Sequence, residues 1–90
     1  MGELDGVWKV ERVSGALPPL YSCRKRIEGE RGTTEFGRLP GMPFDVRGLE
    51  LHYRGPFRML VDRLERRNGE FLGHATLFGR ELGRFRMTRA

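Results

Sequence analysis

The residue types that could carry chemistry are few and scattered. His52 and His74 lie 22 residues apart. Neither has a Cys or a second His at ligand spacing, so zinc has no site that can be drawn. Ser14 and Ser22 lack the strand–turn–helix context of an exposed nucleophile. No Gly-rich stretch is followed by Lys-Ser or Lys-Thr, as a phosphate loop would require. Cys23 stands beside Arg24-Lys25-Arg26, and nearby cations favour a thiolate. Alternation along that segment nevertheless puts Cys23 on its apolar side, where an inert, buried thiol is expected. These observations predict no catalytic residue, no metal and no cofactor.

The elements that would position these groups read as short strands. Val7 to Val13 alternates at period 2, with Trp8 and Val10 opposed to Lys9 and Glu11. Ser14 to Pro19 breaks it, because proline cannot sit in a central strand. Leu20 to Ile27 places Tyr21, Cys23 and Ile27 on one face and Ser22, Arg24 and Arg26 on the other. Thr33 to Phe36, Phe44 to Val46 and Leu49 to Tyr53 follow as short strands. Phe57, Leu60, Val61 and Leu64 have helical spacing, and Pro56 suits a helix start. Asn68-Gly69 argues instead for a type I′ turn between paired strands, so a strand is the preferred reading of 57 to 66. Phe71 to Phe78 and Leu82 to Thr88 complete a three-stranded meander, with Gly79-Arg80 expected as a type II′ turn.

Those two turns fix a register. It sets Ala75 opposite Asp62 and Arg84, Gly73 opposite Leu64 and Arg86, His74 opposite Phe85, Leu72 opposite Met87 and Glu70 opposite Arg89. One face then carries Met59, Val61, Leu72, His74, Thr76, Phe78, Phe85 and Met87, and its bulk predicts the interior. The other carries Leu60, Asp62, Leu64, Phe71, Gly73, Ala75, Leu77, Leu82, Arg84 and Arg86. Across Ala75, Arg84 could reach Asp62 as a surface ion pair. Alternatively, Arg84 and Arg86 form an anion clamp inside a barrel, with Asp62 orienting one of them.

Gly6-Val7-Trp8 at the start of the first strand, followed by a meander of short strands, resembles the lipocalin and fatty-acid-binding group of calycin barrels. The resemblance implies that Trp8 is buried under an Arg of the closing strand, Arg86 or Arg89. It also implies a non-enzymatic barrel holding a small apolar or amphipathic ligand. Trp8, Met59, His74, Phe78, Arg84, Phe85, Arg86 and Met87 are the expected ligand-binding residues. The chain is shorter than usual members and lacks their internal Thr-Asp-Tyr motif. Eight strands of about six residues with links of about four still fit its length.

Composition bounds the rest. Ninety residues make one domain, and 38% hydrophobic residues are too many for a disordered chain. Thirteen Gly and five Pro along the chain suit many short strands. One cysteine cannot form an internal disulfide, the N-terminus lacks the apolar run of a signal peptide, and no stretch reaches the length of a membrane span. The cytoplasm is therefore the expected location. The net charge of +5 rests on 15 Arg and 2 Lys. Arg24, Lys25 and Arg26 near Tyr21 are a basic run beside an aromatic, as single-strand nucleic-acid binders use. Two alternative readings therefore stand beside the ligand-binding barrel: a basic barrel that binds nucleic acid, and a homodimeric structural module.

Overall fold

A computed structural model describes residues 2–17 and 22–90. Eight strands follow one another: β1 (Gly6–Gly15), β2 (Cys23–Glu28), β3 (Arg31–Phe36), β4 (Met42–Arg47), β5 (Glu50–Tyr53), β6 (Leu60–Arg67), β7 (Glu70–Leu77) and β8 (Arg80–Arg89). Each pairs antiparallel with the next, and β8 returns to β1, so the meander closes into a barrel with no free edge. The break expected at Ser14 to Pro19 starts later, because Ser14 and Gly15 still pair with Arg84 and Gly83 past an irregularity at Val13. Pro18-Pro19 and the expected strand positions Leu20 and Tyr21 lie outside the described residues.

Closure decides the contested segment. β5 and β7 each need a partner for their backbone groups, and a strand at 60–67 satisfies both. Asn68 and Gly69 take the positive φ values (48° and 84°) that a type I′ turn requires. The proline signal survives only as a single 3-10 turn, Gly55–Phe57. Within β6 the inward side chains are Leu60, Asp62 and Leu64, at period 2.

The last hairpin departs from expectation. Its turn is Phe78-Gly79, with φ values of 51° and 82°, rather than Gly79-Arg80. Leu77 pairs with Arg80 and Thr76 with Glu81, and a bulge at Leu82 then sets Ala75 opposite Gly83. The β6–β7 register is as expected, with Asp62 opposite Ala75 and Leu64 opposite Gly73. Against β8, however, Gly73 faces Phe85, His74 faces Arg84, Phe71 faces Met87 and Leu72 faces Arg86. A shift of one residue exchanges the faces of β8 relative to β7. Phe85 and Met87 thereby join Phe71 inside, and each buried side chain of this size contributes about 1.5–3 kcal/mol. On β6 and β7 the inner face is that of Asp62, Leu64 and Phe71, not the expected one of Val61, Leu72 and His74. The expected register would have put two guanidinium groups inside with Asp62 and Leu64. Together the two buried side chains outweigh the left-handed backbone of Phe78, about 1–3 kcal/mol.

The barrel has two unlike ends. Links β2–β3, β4–β5 and β6–β7 are two residues each and lie at the end of the barrel where β1 begins, near Trp8. Trp8 is 1% exposed and donates its indole N–H to the Leu4 carbonyl at 2.8 Å. It meets Phe71 edge-on at 5.3 Å, and the Arg89 guanidinium lies 4.2 Å from its ring centre. Gly6 has φ 126°, and a Cβ there would stand 2.6 Å from Nη1 of Arg89. The Gly-x-Trp spacing and the terminal Arg thus form one plug. Ile27, Phe44, Leu51, Leu64 and Met87 are buried above it. The links at 37–41, 54–59 and 78–79 lie at the opposite end, together with the end of β1 and the start of β2.

Candidate functional site

Towards that second end the interior turns polar. Lys25 follows Cys23 and precedes Ile27 on the inward face of β2, and is 3% exposed. Its ammonium donates to Thr34 Oγ1 at 2.6 Å and to Tyr53 Oη at 2.7 Å, and pairs with Asp62 Oδ2 at 3.2 Å. Tyr53 donates to the same Asp62 Oδ2 at 3.0 Å, and its oxygen lies 2.7 Å from Thr34 Oγ1. β2, β3, β5 and β6 therefore each contribute one inward polar side chain. The rings of Phe44, Tyr53 and Phe85 surround the ammonium with centres 5.2–5.5 Å away, a geometry that favours a cation.

Burial opposes the charge on Lys25, yet Tyr53 and Asp62 outweigh it and hold the ammonium above the usual lysine range. Burial is also the largest influence on Tyr53; against the pull of Lys25 it pushes the phenol up to about 12. At neutral pH the pair is therefore ammonium and neutral phenol. The three Lys25 donors are matched by three acceptors, and among the described residues no deeply buried side-chain polar atom lacks a partner. Both bonds to Asp62 go to Oδ2. Among the described residues no hydrogen bond reaches its Oδ1.

The cluster borders a cavity of about 200 Å³. Its walls are mainly apolar, from Val10, Leu17, Phe36, Met42, Leu60, Ala75, Leu82 and Phe85, and Cys23 completes one side. Burial raises the Cys23 thiol, partly offset by Lys25, so the group is a neutral wall atom. A larger groove of about 870 Å³ crosses the outside and rim of β1–β4 near Gly6, Arg26, Arg31 and Arg54. It is open to solvent and holds none of the buried polar groups.

The chain matches no family model, no curated protein and no solved structure.

The expected site residues divide between these surroundings. Phe85 borders the cavity, Met87 lies deeper in the core, and Trp8 plugs the far end. Met59 is half-buried in the β5–β6 link. Phe78 is 78% exposed at its turn. His74 lies on the outer face between Glu81 (2.6 Å) and Glu65 (3.0 Å), which raise its pKa in that order. Arg84 pairs with Glu81 and Arg86 with Glu11, both outside. Neither guanidinium forms an interior clamp, and Arg84 does not reach Asp62, whose cation is Lys25. The basic run of β2 is split, with Lys25 inside and Arg24 and Arg26 outside. Lys25, Thr34, Tyr53 and Asp62 escaped the sequence reading as a set. The signal that finds them is a polar residue at an inward alternation position: Lys25 between Cys23 and Ile27, Asp62 between Leu60 and Leu64.

Proposed function

We propose that this barrel binds a small, partly apolar ligand through its open end, as a calycin-like binding module without catalytic activity. The observation that carries the reading is the cavity of about 200 Å³ with apolar walls and one polar corner, where Lys25, Thr34, Tyr53 and Asp62 meet. Apolar walls with a few convergent polar groups are the usual build of a ligand site. This one is small, and suits a compact body with an O–H or N–H at one end. The Lys25–Asp62 pair already balances its own charge, so a neutral donor fits better than a carboxylate, which would face Asp62. Binding is favoured over catalysis because the ammonium and the phenol are held in the protonation states that neither accept nor readily release a proton at neutral pH. The Trp8–Arg89 plug at the sealed end supports the calycin likeness.

The test is a fluorescence titration with naphthol and with its anionic counterpart naphthoate, each at low and moderate salt. Naphthol should saturate with an affinity that salt hardly changes, since burying apolar area drives it at about 25 cal/mol per Å². Naphthoate should bind more weakly. Uptake of neither, together with binding of a single-stranded oligonucleotide that survives physiological salt, would overturn the proposal.

A further inference from the structure

The end of the barrel around the cavity is unusual in what it exposes. The large apolar side chains that the described residues leave exposed are Val13, Leu39, Phe57 and Phe78. Leu39, Phe57 and Phe78 stand on the β3–β4, β5–β6 and β7–β8 links, which the meander brings to the same end. Val13 is two residues from the point where β1 reaches that end. Leu39 is 69% exposed and Phe78 78%. The backbone N–H of Phe78 donates to the Met59 carbonyl at 3.0 Å, which ties two of these links together.

Phe78 is a poor choice on two counts. Its side chain is in solvent, and its φ of 51° disfavours a bulky residue. The β6–β7 hairpin makes the same kind of turn with Asn68-Gly69. The register needs a turn here but not a phenyl ring, and a bulky side chain that breaks the local rule without packing itself points to function.

Charge follows the same polarity. Each apolar side chain has an arginine beside it: Arg38 before Leu39, Arg58 after Phe57, and Arg80 two residues beyond Phe78. None of these arginines joins an ion pair among the described residues. No Asp or Glu occurs in the links at 16–22, 37–41, 54–59 and 78–79.

We infer that this end of the barrel docks on an anionic lipid surface, with Leu39, Phe57 and Phe78 entering the interfacial layer and Arg38, Arg58 and Arg80 meeting lipid phosphates. Bulky apolar side chains ringed by arginine are the combination that interfacial binding uses. The apolar residues stand on separate links around an opening, so a soft surface can take all three at once. A rigid protein partner would have to bridge the cavity mouth. The docking does not depend on whether the cavity takes a ligand.

The experiment is co-sedimentation with vesicles of phosphatidylcholine alone and of phosphatidylcholine mixed with phosphatidylglycerol, at two salt concentrations. Binding should require the anionic lipid and weaken with salt. Arg38→Gln, Arg58→Gln and Arg80→Gln together should weaken it on the order of a hundredfold, from the contribution of each basic residue near such a surface. Leu39→Ser, Phe57→Ser and Phe78→Asn together should weaken it at least about tenfold. Asn accepts the backbone of Phe78, so this variant should keep its far-UV circular dichroism and unfold no more readily than the parent. No sedimentation with either vesicle, or undiminished binding by the folded apolar variant, would overturn the inference. So would a dimer on size-exclusion chromatography that this variant abolishes, with no vesicle binding, because the patch would then be a self-association surface.

Discussion

At the scale of single residues, Lys25 and Asp62 matter through their mutual dependence. Both are buried, and each is the other's counter-charge. Removing one leaves an uncompensated buried charge, which costs about 3–5 kcal/mol. Lys25→Met alone should therefore lower the urea midpoint severely. Lys25→Met with Asp62→Leu should recover most of the loss, since well-packed apolar residues often replace a buried pair at little cost. The double variant should also lose its preference for naphthol over naphthoate. A double variant no more stable than Lys25→Met would show that the pair is not coupled as its geometry implies. Tyr53 adds a pH signature. Its folded pKa is raised to about 12, above the ordinary value near 10. The folded state therefore holds the proton more tightly, so the contribution is full below about pH 10 and is lost as pH rises towards 12. The loss is on the order of 2–3 kcal/mol. Alkaline unfolding followed by tyrosinate absorbance should show it, and Tyr53→Phe should remove this component.

At the scale of elements, the turns decide which side chains share a face. Asn68-Gly69 was legible because both residues accept positive φ, and that turn signal outweighed the competing helical spacing of Phe57, Leu60, Val61 and Leu64. Gly79-Arg80 was not the turn, because a local glycine preference says nothing about which face of β8 the barrel needs. Phe85 and Met87 had to enter with Phe71, and the chain reaches that register through a strained Phe78 and a bulge at Leu82. Strand positions were legible from period 2. The polar cluster was not, because Lys25 reads as part of a basic run until its alternation with Cys23 and Ile27 is followed inward. Arg84 and Arg86 were misplaced by the same one-residue slip that misplaced His74. A direct consequence concerns Phe78. Phe78→Asn relieves left-handed strain and removes an exposed ring, so it should raise stability by about 1 kcal/mol. Equal urea midpoints for this variant and the parent would mean that the turn stores no strain. Gly73 is a second check. A Cβ there would lie 2.1 Å from the Phe85 ring. Gly73→Ala should therefore destabilise by about 1–3 kcal/mol through overpacking, read from the same midpoints.

At the scale of the whole molecule, the two ends of the barrel are built differently. The sealed end joins both termini of the fold, because Trp8 on β1 faces Arg89 on β8 and Arg89 donates to the Asp5 carbonyl at 2.7 Å. Closure of the barrel therefore runs through this plug. The open end carries the cavity and the exposed apolar links, whose side chains add little to the core. Among the described residues no helix is long and apolar enough to cross a membrane. Stability and recognition should thus respond to different residues. Trp8→Ala removes the indole, its bond to Leu4 and its contact with Phe71, and should cost about 3–5 kcal/mol, as for other large core aromatics. A small domain has only about 5–15 kcal/mol in all, so the variant should lie close to unfolding. Because β1 pairs with both β2 and β8, the loss should appear as one cooperative transition across the whole far-UV signal. Leu39→Ser and Phe57→Ser should shift the transition by no more than about 0.5 kcal/mol, as exposed substitutions do. Urea titrations of the three variants, followed by far-UV circular dichroism, make the comparison. A Trp8→Ala protein that loses only part of its β signal would show that the barrel survives without its plug, and the division between the two ends would fail.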